Sequence, residues 1–229
     1  VNNRNGDTTI VSTGGSITQS GDMAAVGGNN VDLQAKTGIG TAFQALQVNV
    51  KGGKLDATSE TGDVRVRQMV GDLRVGKIGG EGVDNVLVDA ERNLLSSDAN
   101  SLVQGKRVEL VSRNAAIGEV GKAFNVRTGY TANQSQWPNY GLKADARDNI
   151  NIRNSAGNGV YTGDLLLIAA ESRTGDVRIE TTGSAIDNNP YATTDTRSQA
   201  ELVALWDDLR LRGPKADAKA AEAVSAFEK

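Results

Sequence analysis

The sequence predicts an all-β chain: a parallel β-helix, or solenoid, of about 22 residues per coil, followed by an α-helical hairpin. Three observations carry that expectation. The first is a recurring phrase of alternating apolar residues with a second apolar landing point. It reads Val31-Asp-Leu33-Gln-Ala35 reaching Ile39, and Val86-Leu-Val88-Asp-Ala90 reaching Leu94. Val108-Glu-Leu110 leads likewise to Ile117, and Val177-Arg-Ile179 to Ile186. A weaker copy runs through Thr9, Val11, Thr13 and Ile17. The second observation is the spacing, because Thr9 to Val31, Val64 to Val86 and Val86 to Val108 are each about 22 residues, a solenoid period. The third is the scarcity of aromatic residues, with 2 Trp, 4 Tyr and 3 Phe in 229 residues. A globular core leans on large rings, whereas a narrow solenoid is filled by stacked Val, Ile, Leu and Ala.

The β-helix is expected over residues 1–190. Turn signals such as Gly6-Asp7, Gly62-Asp63, Gly71-Asp72, Gly163-Asp164 and Gly175-Asp176 punctuate it. Gly accepts a positive φ and Asp bonds nearby backbone, so Gly-Asp suits a tight corner. Between corners, Asp63-Val64-Arg65-Val66-Arg67 and Asn149-Ile150-Asn151-Ile152-Arg153 put Val and Ile on one face and polar residues on the other. A longer echo relates VDLQAKTGIGTAFQALQV, from Val31, to VELVSRNAAIGEVGKAFNV, from Val108. Hairpin meanders produce similar alternation, so a β-sandwich is the alternative. At about 4.8 Å between strands, eight or nine coils of this period make a rod of about 40 Å.

Two segments interrupt the rhythm. A polar insertion at 128–141 carries Tyr130, Trp137 and Tyr140, and exposed Tyr and Trp often mark binding hot spots or sugar platforms. The bland reading folds them back over the solenoid. The second segment is a helical hairpin over 196–229. Ser198-x-x-Glu201 reads as a capping box, and Leu202, Leu205, Trp206 and Leu209 form one apolar face suited to docking. Gly213-Pro214 ends that helix and opens the next, with Ala220, Ala223, Val224 and Phe227 as its stripe. No stop signal precedes Lys229, and the chain starts mid-pattern at Val1, so it reads as a piece of something longer.

The chemistry is narrowed by what the composition lacks. With no His and no Cys, thiol and imidazole catalysis, disulfides, and zinc or haem sites built on those residues are excluded. No run of about 20 apolar residues is present to cross a membrane as a helix. A net charge of −3, with both signs interspersed, gives no footprint for nucleic acid. Carboxylate chemistry of a polysaccharide lyase or hydrolase would fall to Asp63, Asp72, Asp164 and Asp176 with Arg65, Arg67 or Arg178. Solvated turn Asp and outward Arg explain them better, so no catalytic residue is assigned and no enzyme is expected. Gly79-Gly80-Glu81-Gly82-Val83-Asp84-Asn85-Val86-Leu87 fits one copy of a calcium-binding nonapeptide, with Asp84 as the carboxylate ligand. Such ions sit between tandem copies, and a single copy reads first as a Gly-rich corner; no other metal or cofactor is expected.

Phrases such as GGSITQSGDM, VDLQAKTGIGT, LDATSETGDVRVRQMVGDLRVGKI and VELVSRNAAIG resemble the repeat region of large bacterial exoproteins of the filamentous-haemagglutinin-like class. The resemblance covers roughly residues 1–187, and AELVALWDDLRLRG is similar to helical interruptions in some of these proteins. It implies a right-handed winding, two-partner secretion through an outer-membrane transporter, and location outside the cell or on the bacterial surface. It also implies adhesion to a host or bacterial cell surface, a glycan or a matrix protein. It supplies no catalytic residues.

Overall fold

Alternation at period two makes short strands here, and the Gly-Asp and Gly-Gly corners return each strand to the same side of the next. The computed structural model describes residues 1–3, 5–21, 25–130 and 140–187. In chain order the strands begin with β1 (Thr8–Ser12), β2 (Ala25–Gly28), β3 (Val31–Ala35), β4 (Leu46–Val50), β5 (Leu55–Ser59) and β6 (Gly62–Gln68). Next come β7 (Leu73–Gly79), β8 (Val83–Ala90), β9 (Leu94–Ser96), β10 (Leu102–Gly105), β11 (Arg107–Ser112) and β12 (Phe124–Thr128). The last are β13 (Gly141–Ala146), β14 (Ile150–Asn154), β15 (Leu165–Ser172), β16 (Val177–Thr181) and β17 (Ala185–Asp187). The expected helical hairpin, with Leu202, Leu205, Trp206 and Leu209, lies outside the described residues.

Strands from successive coils stack into two sheets. The nine-stranded sheet runs β1-β3-β5-β7-β10-β12-β14-β16, with β9 also paired to β7. The eight-stranded sheet runs from β2 through β4, β6, β8, β11, β13 and β15 to β17. Every strand pairing among the described residues is parallel, which removes the sandwich alternative and makes a β-solenoid of about 7 turns. That is fewer than the eight or nine coils expected, because later coils are longer. Asn85 follows its stacked neighbour Asp63 by 22 residues, whereas Lys143 follows Glu109 by 34, across the insertion.

Inward residues form ladders along the stack. At one corner Ile17, Ile39, Val64, Val86, Val108, Leu142 and Leu167 lie one above another. At the other, Leu73, Leu94, Ile117, Ile150 and Val177 do the same. Most of these side chains are buried, and Val177, on the last described strand of its sheet, is exposed. Two of the spacings read from the sequence, Val64–Val86 and Val86–Val108, are register pairs. The first is off by one. Thr8, not Thr9, pairs with Val31, so Thr8 is buried, Ile10 packs on the core and Val11 faces water. A one-residue slip exchanges the two faces of a strand, and Ile10-Val11 gives no alternation to decide it.

Two amides take ladder positions. Gln68 stands between Val48 and Ala90. Its Oε1 accepts from the Val50 N–H at 3.0 Å, and its Nε2 donates to the Val50 and Val70 carbonyls at 2.9 and 2.7 Å. Asn154 accepts from the Thr128 N–H at 3.0 Å and donates to the Gly163 carbonyl at 3.1 Å. Each side chain satisfies backbone groups where a strand ends, which is why it tolerates full burial.

The echoed phrases build the same small device on opposite corners. After Ile39 and Ile117 come Gly40 and Gly118, with φ of 75° and 76°. A Cβ on either would sit 2.6 Å from the Arg65 carbonyl oxygen or 2.3 Å from that of Asn151. The chain then folds into a tight hairpin closed between Thr41 and Gln44, or between Glu119 and Lys122. Phe43 and Val120 stand almost wholly exposed at the tips.

Truncating a ladder residue should cost far more than truncating a tip. In urea unfolding of the full chain, Ile117→Ala is expected to lose about 2–5 kcal/mol and Val120→Ala less than about 0.5 kcal/mol.

Candidate functional site

The Gly-Asp corners stack coils. Asp7 Oδ1 accepts from the backbone and side-chain N–H groups of Asn30 at 3.1 and 3.0 Å. Asp63 does the same with Asn85 (3.2 and 2.8 Å), and Asp72 with Asn93 (3.1 and 2.9 Å). Asp164 Oδ1 accepts from the Ser184 N–H at 2.7 Å. The Asn passes the pattern upward, since Asn30 Oδ1 accepts from the Lys54 N–H and Asn93 Oδ1 from the Ala116 N–H. Three of the four carboxylates weighed for catalysis therefore cap the following coil. The arginines are placed likewise: Arg65 lies on Asp63, Arg67 and Arg113 flank Asp89, and Arg178 pairs with Glu180.

The calcium-like nonapeptide lies at the β7–β8 corner, and its residues do not fit the ion. Asp84 accepts from Lys106 Nζ at 2.6 Å, and this bond, the largest influence, holds the ammonium pKa above its usual value. A divalent cation at Asp84 would meet that ammonium. The single Tyr161 hydroxyl proton also lies against this turn, within reach of the Glu81 carbonyl at 3.2 Å and the Gly80 carbonyl at 3.4 Å. Among the described residues, no group of three or more carboxylates is arranged to hold a metal ion.

Tyr161 itself was not legible as a site residue, because it sits in a Gly-rich stretch that reads as a polar loop. The segment between β14 and β15 folds over the β7–β8 corner, burying Tyr161 and bringing Asn158 Nδ2 to Glu81 Oε1. Burial raises the Tyr161 pKa, so the phenol stays neutral. Tyr140 and Tyr161 both lie within electrostatic reach of Lys106, and the Tyr130 N–H donates to the Val160 carbonyl at 2.8 Å. Tyr130 and Tyr140 are half-buried. Trp137 lies outside the described residues.

Ion pairs cross coils on both outer faces, Arg153 with Glu180 on the nine-stranded one among them. On the eight-stranded sheet, charges pair across coils: Arg67 and Arg113 on Asp89, Lys143 on Glu109, Arg173 on Asp145. On the nine-stranded sheet Asp32 lies directly opposite Asp56, which Lys54 Nζ contacts at 2.9 Å. Three clefts follow one another along this face. One of about 640 Å³ is lined by Asp32, Lys54, Asp56 and Asp98. A second, about 440 Å³, shares Asp98 and holds Lys122, Arg153 and Glu180. The third, about 570 Å³, shares Gly121, Asn151 and Arg178 with the second. Of the residues lining them, Asp72, Asp176 and Arg178 were named in the sequence as candidates for carboxylate chemistry, but their grouping was not foreseen, because it arises only when coils separated in sequence are stacked.

No family model, curated protein or solved structure matches this chain. The functional reading therefore rests on the chain's own residues.

The Ser184 N–H, and after it the Thr162 hydroxyl, holds the Asp164 carboxyl pKa below the usual value. A depressed folded pKa adds stability that is fully present above the unfolded value, about 3.9, and is lost as pH falls through the folded value. Between about pH 4 and pH 2 the denaturant midpoint of the wild-type chain should fall more steeply than that of Asp164→Asn. Parallel acid limbs would mean that the Ser184 contact contributes nothing.

Proposed function

We propose that this chain is a structural and adhesive segment of a large, secreted or surface-displayed bacterial adhesin of the filamentous-haemagglutinin-like class. The observation that carries this reading is the commitment of the corner carboxylates. Asp7, Asp63, Asp72 and Asp164 are bonded to the next coil, and the charges of the eight-stranded face neutralise one another between coils. Groups tied to backbone N–H donors in this way build length and rigidity. They do not form the convergent acid–base pair that cleavage of a glycosidic bond requires.

The rest of the proposal follows the sequence resemblance. The winding is right-handed, the hand that crossovers between parallel strands of one sheet take almost without exception. Export proceeds by two-partner secretion through an outer-membrane transporter. The polar outer face makes weak, repeated contacts with a host or bacterial cell surface, glycan or matrix, which gain strength by multivalency.

The full chain displayed on beads should be retained on cell-, glycan- or matrix-coated surfaces, with retention rising steeply with display density. Release of sugar fragments from acidic polysaccharides would overturn the reading in favour of a lyase or hydrolase, and no retention at any density would remove the adhesive role. Melting with and without a calcium chelator is expected to shift the midpoint by less than about 2 °C; a large drop would make the chain a calcium-dependent repeat module.

A further inference from the structure

The geometry points to the third cleft of the nine-stranded face as a binding subsite for a neutral, extended hexose glycan. This rests on the adhesive reading and names a ligand class for it. The cleft lies between the Glu119–Lys122 hairpin and the corner stacked from Asp72, Asn93, Ala116, Asn149 and Asp176.

Its wall is fixed. The hairpin closes on itself through the Glu119 N–H to the Lys122 carbonyl (3.0 Å) and the reverse bond (3.1 Å). From the coil above, Asn151 Nδ2 donates to the Glu119 carbonyl at 2.7 Å. From the coil below, the Ser96 carbonyl accepts from Lys122 Nζ at 3.0 Å. A wall held from both sides offers a preformed surface, which lowers the ordering cost of binding.

Its floor is apolar where the outside of a β-solenoid is ordinarily polar. Leu94 stacks inward on Leu73, so Leu95 points outward, yet Leu95 is only 6% exposed. Ala116 lines the cleft beside it, and Val120 adds an exposed apolar edge. This gives a strip against which the C–H face of a pyranose ring can pack.

Its rim offers hydrogen-bonding groups that the fold does not use. Asn93 is fully engaged, through Asp72 and Ala116. By contrast, among the described residues the Arg74 guanidinium, the Asn149 amide N–H pair, Asn151 Oδ1 and the Asp176 carboxylate have no partner. The Glu119 carboxylate has only a long contact of 3.9 Å to Lys122. Donors and acceptors are thus mixed within one cleft, as hydroxyl groups require, each being both donor and acceptor. Asp72, Glu119 and Asp176 outnumber Arg74 and Arg178 among the lining charges, which disfavours a uronate or sulfated chain and selects a neutral one. Rim groups recur with the coil spacing of about 4.8 Å, and the neighbouring clefts extend the track along the same face, so an extended chain fits better than a single sugar.

The test titrates the full chain with linear neutral hexose hexamers (β-1,4-glucan, α-1,4-glucan and β-1,4-mannan) and with a uronate hexamer, followed by backbone amide chemical shifts. At least one neutral hexamer is expected to shift residues 93–95, 116–121 and 149–151, with millimolar affinity. Arg74→Ala and Asp176→Ala should each weaken it about five- to tenfold at an unchanged melting midpoint. Shifts confined to the eight-stranded face or to the Tyr130 and Tyr140 corner, tighter binding of the uronate, silence of every neutral hexamer up to about 10 mM, or indifference to both substitutions would each overturn the subsite. Surface retention without these shifts removes the subsite and leaves the adhesive reading standing. The shifts without surface retention do the reverse.

Discussion

Parallel hydrogen bonding between successive coils is the constraint on which everything else in this protein depends. A coil has no hydrophobic core of its own; it acquires one when its inward residues land on those of its neighbours. The ladders from Ile17 to Leu167 and from Leu73 to Val177 enforce that landing at two opposite corners. Between them, coils vary in length, and Glu109 and Lys143 still stack on each other across a step of 34 residues. Register is kept at the ladder positions, and length is free elsewhere.

Polar side chains supply a second, directional fastening. A carboxylate at the start of a strand accepts N–H groups from the coil above, and an Asn there hands an acceptor on to the next. Gln68 and Asn154 do inside what the corner residues do outside, standing in for a peptide group where the ladder of backbone bonds is interrupted. Such bonds each contribute modestly, and leaving a buried partner unmet costs more. Their effect is to penalise any slip of one coil on another.

Much of this was legible in the sequence where alternation was clean. Val64, Val66, Val86 and Val88 announce their face, and they are buried as expected. The phase failed at Thr8–Ser12, because adjacent β-branched residues leave both faces equally apolar and only the neighbouring coil decides between them. Gly-Asp was readable as a corner but not as a cross-coil cap, since nothing local says what will stand one coil above. The same limit hid Tyr161, whose carbonyl partners lie about 80 residues earlier. It also hid the cleft that gathers Leu95, Ala116 and Asn151 from three coils.

The echo between the phrases that open at Val31 and Val108 has a geometric meaning. The first copy opens on β3, in the nine-stranded sheet, and the second on β11, in the eight-stranded sheet, three and a half coils later. A repeat unit that is not a whole number of coils rotates its contents by half a turn each time it is copied. The Gly40 and Gly118 hairpins consequently emerge on opposite edges, one tipped with Phe43 and the other with Val120. A phrase repeated at a half-integral number of coils thus places one surface device on both sides of a solenoid, so a two-sided molecule follows from a one-sided instruction.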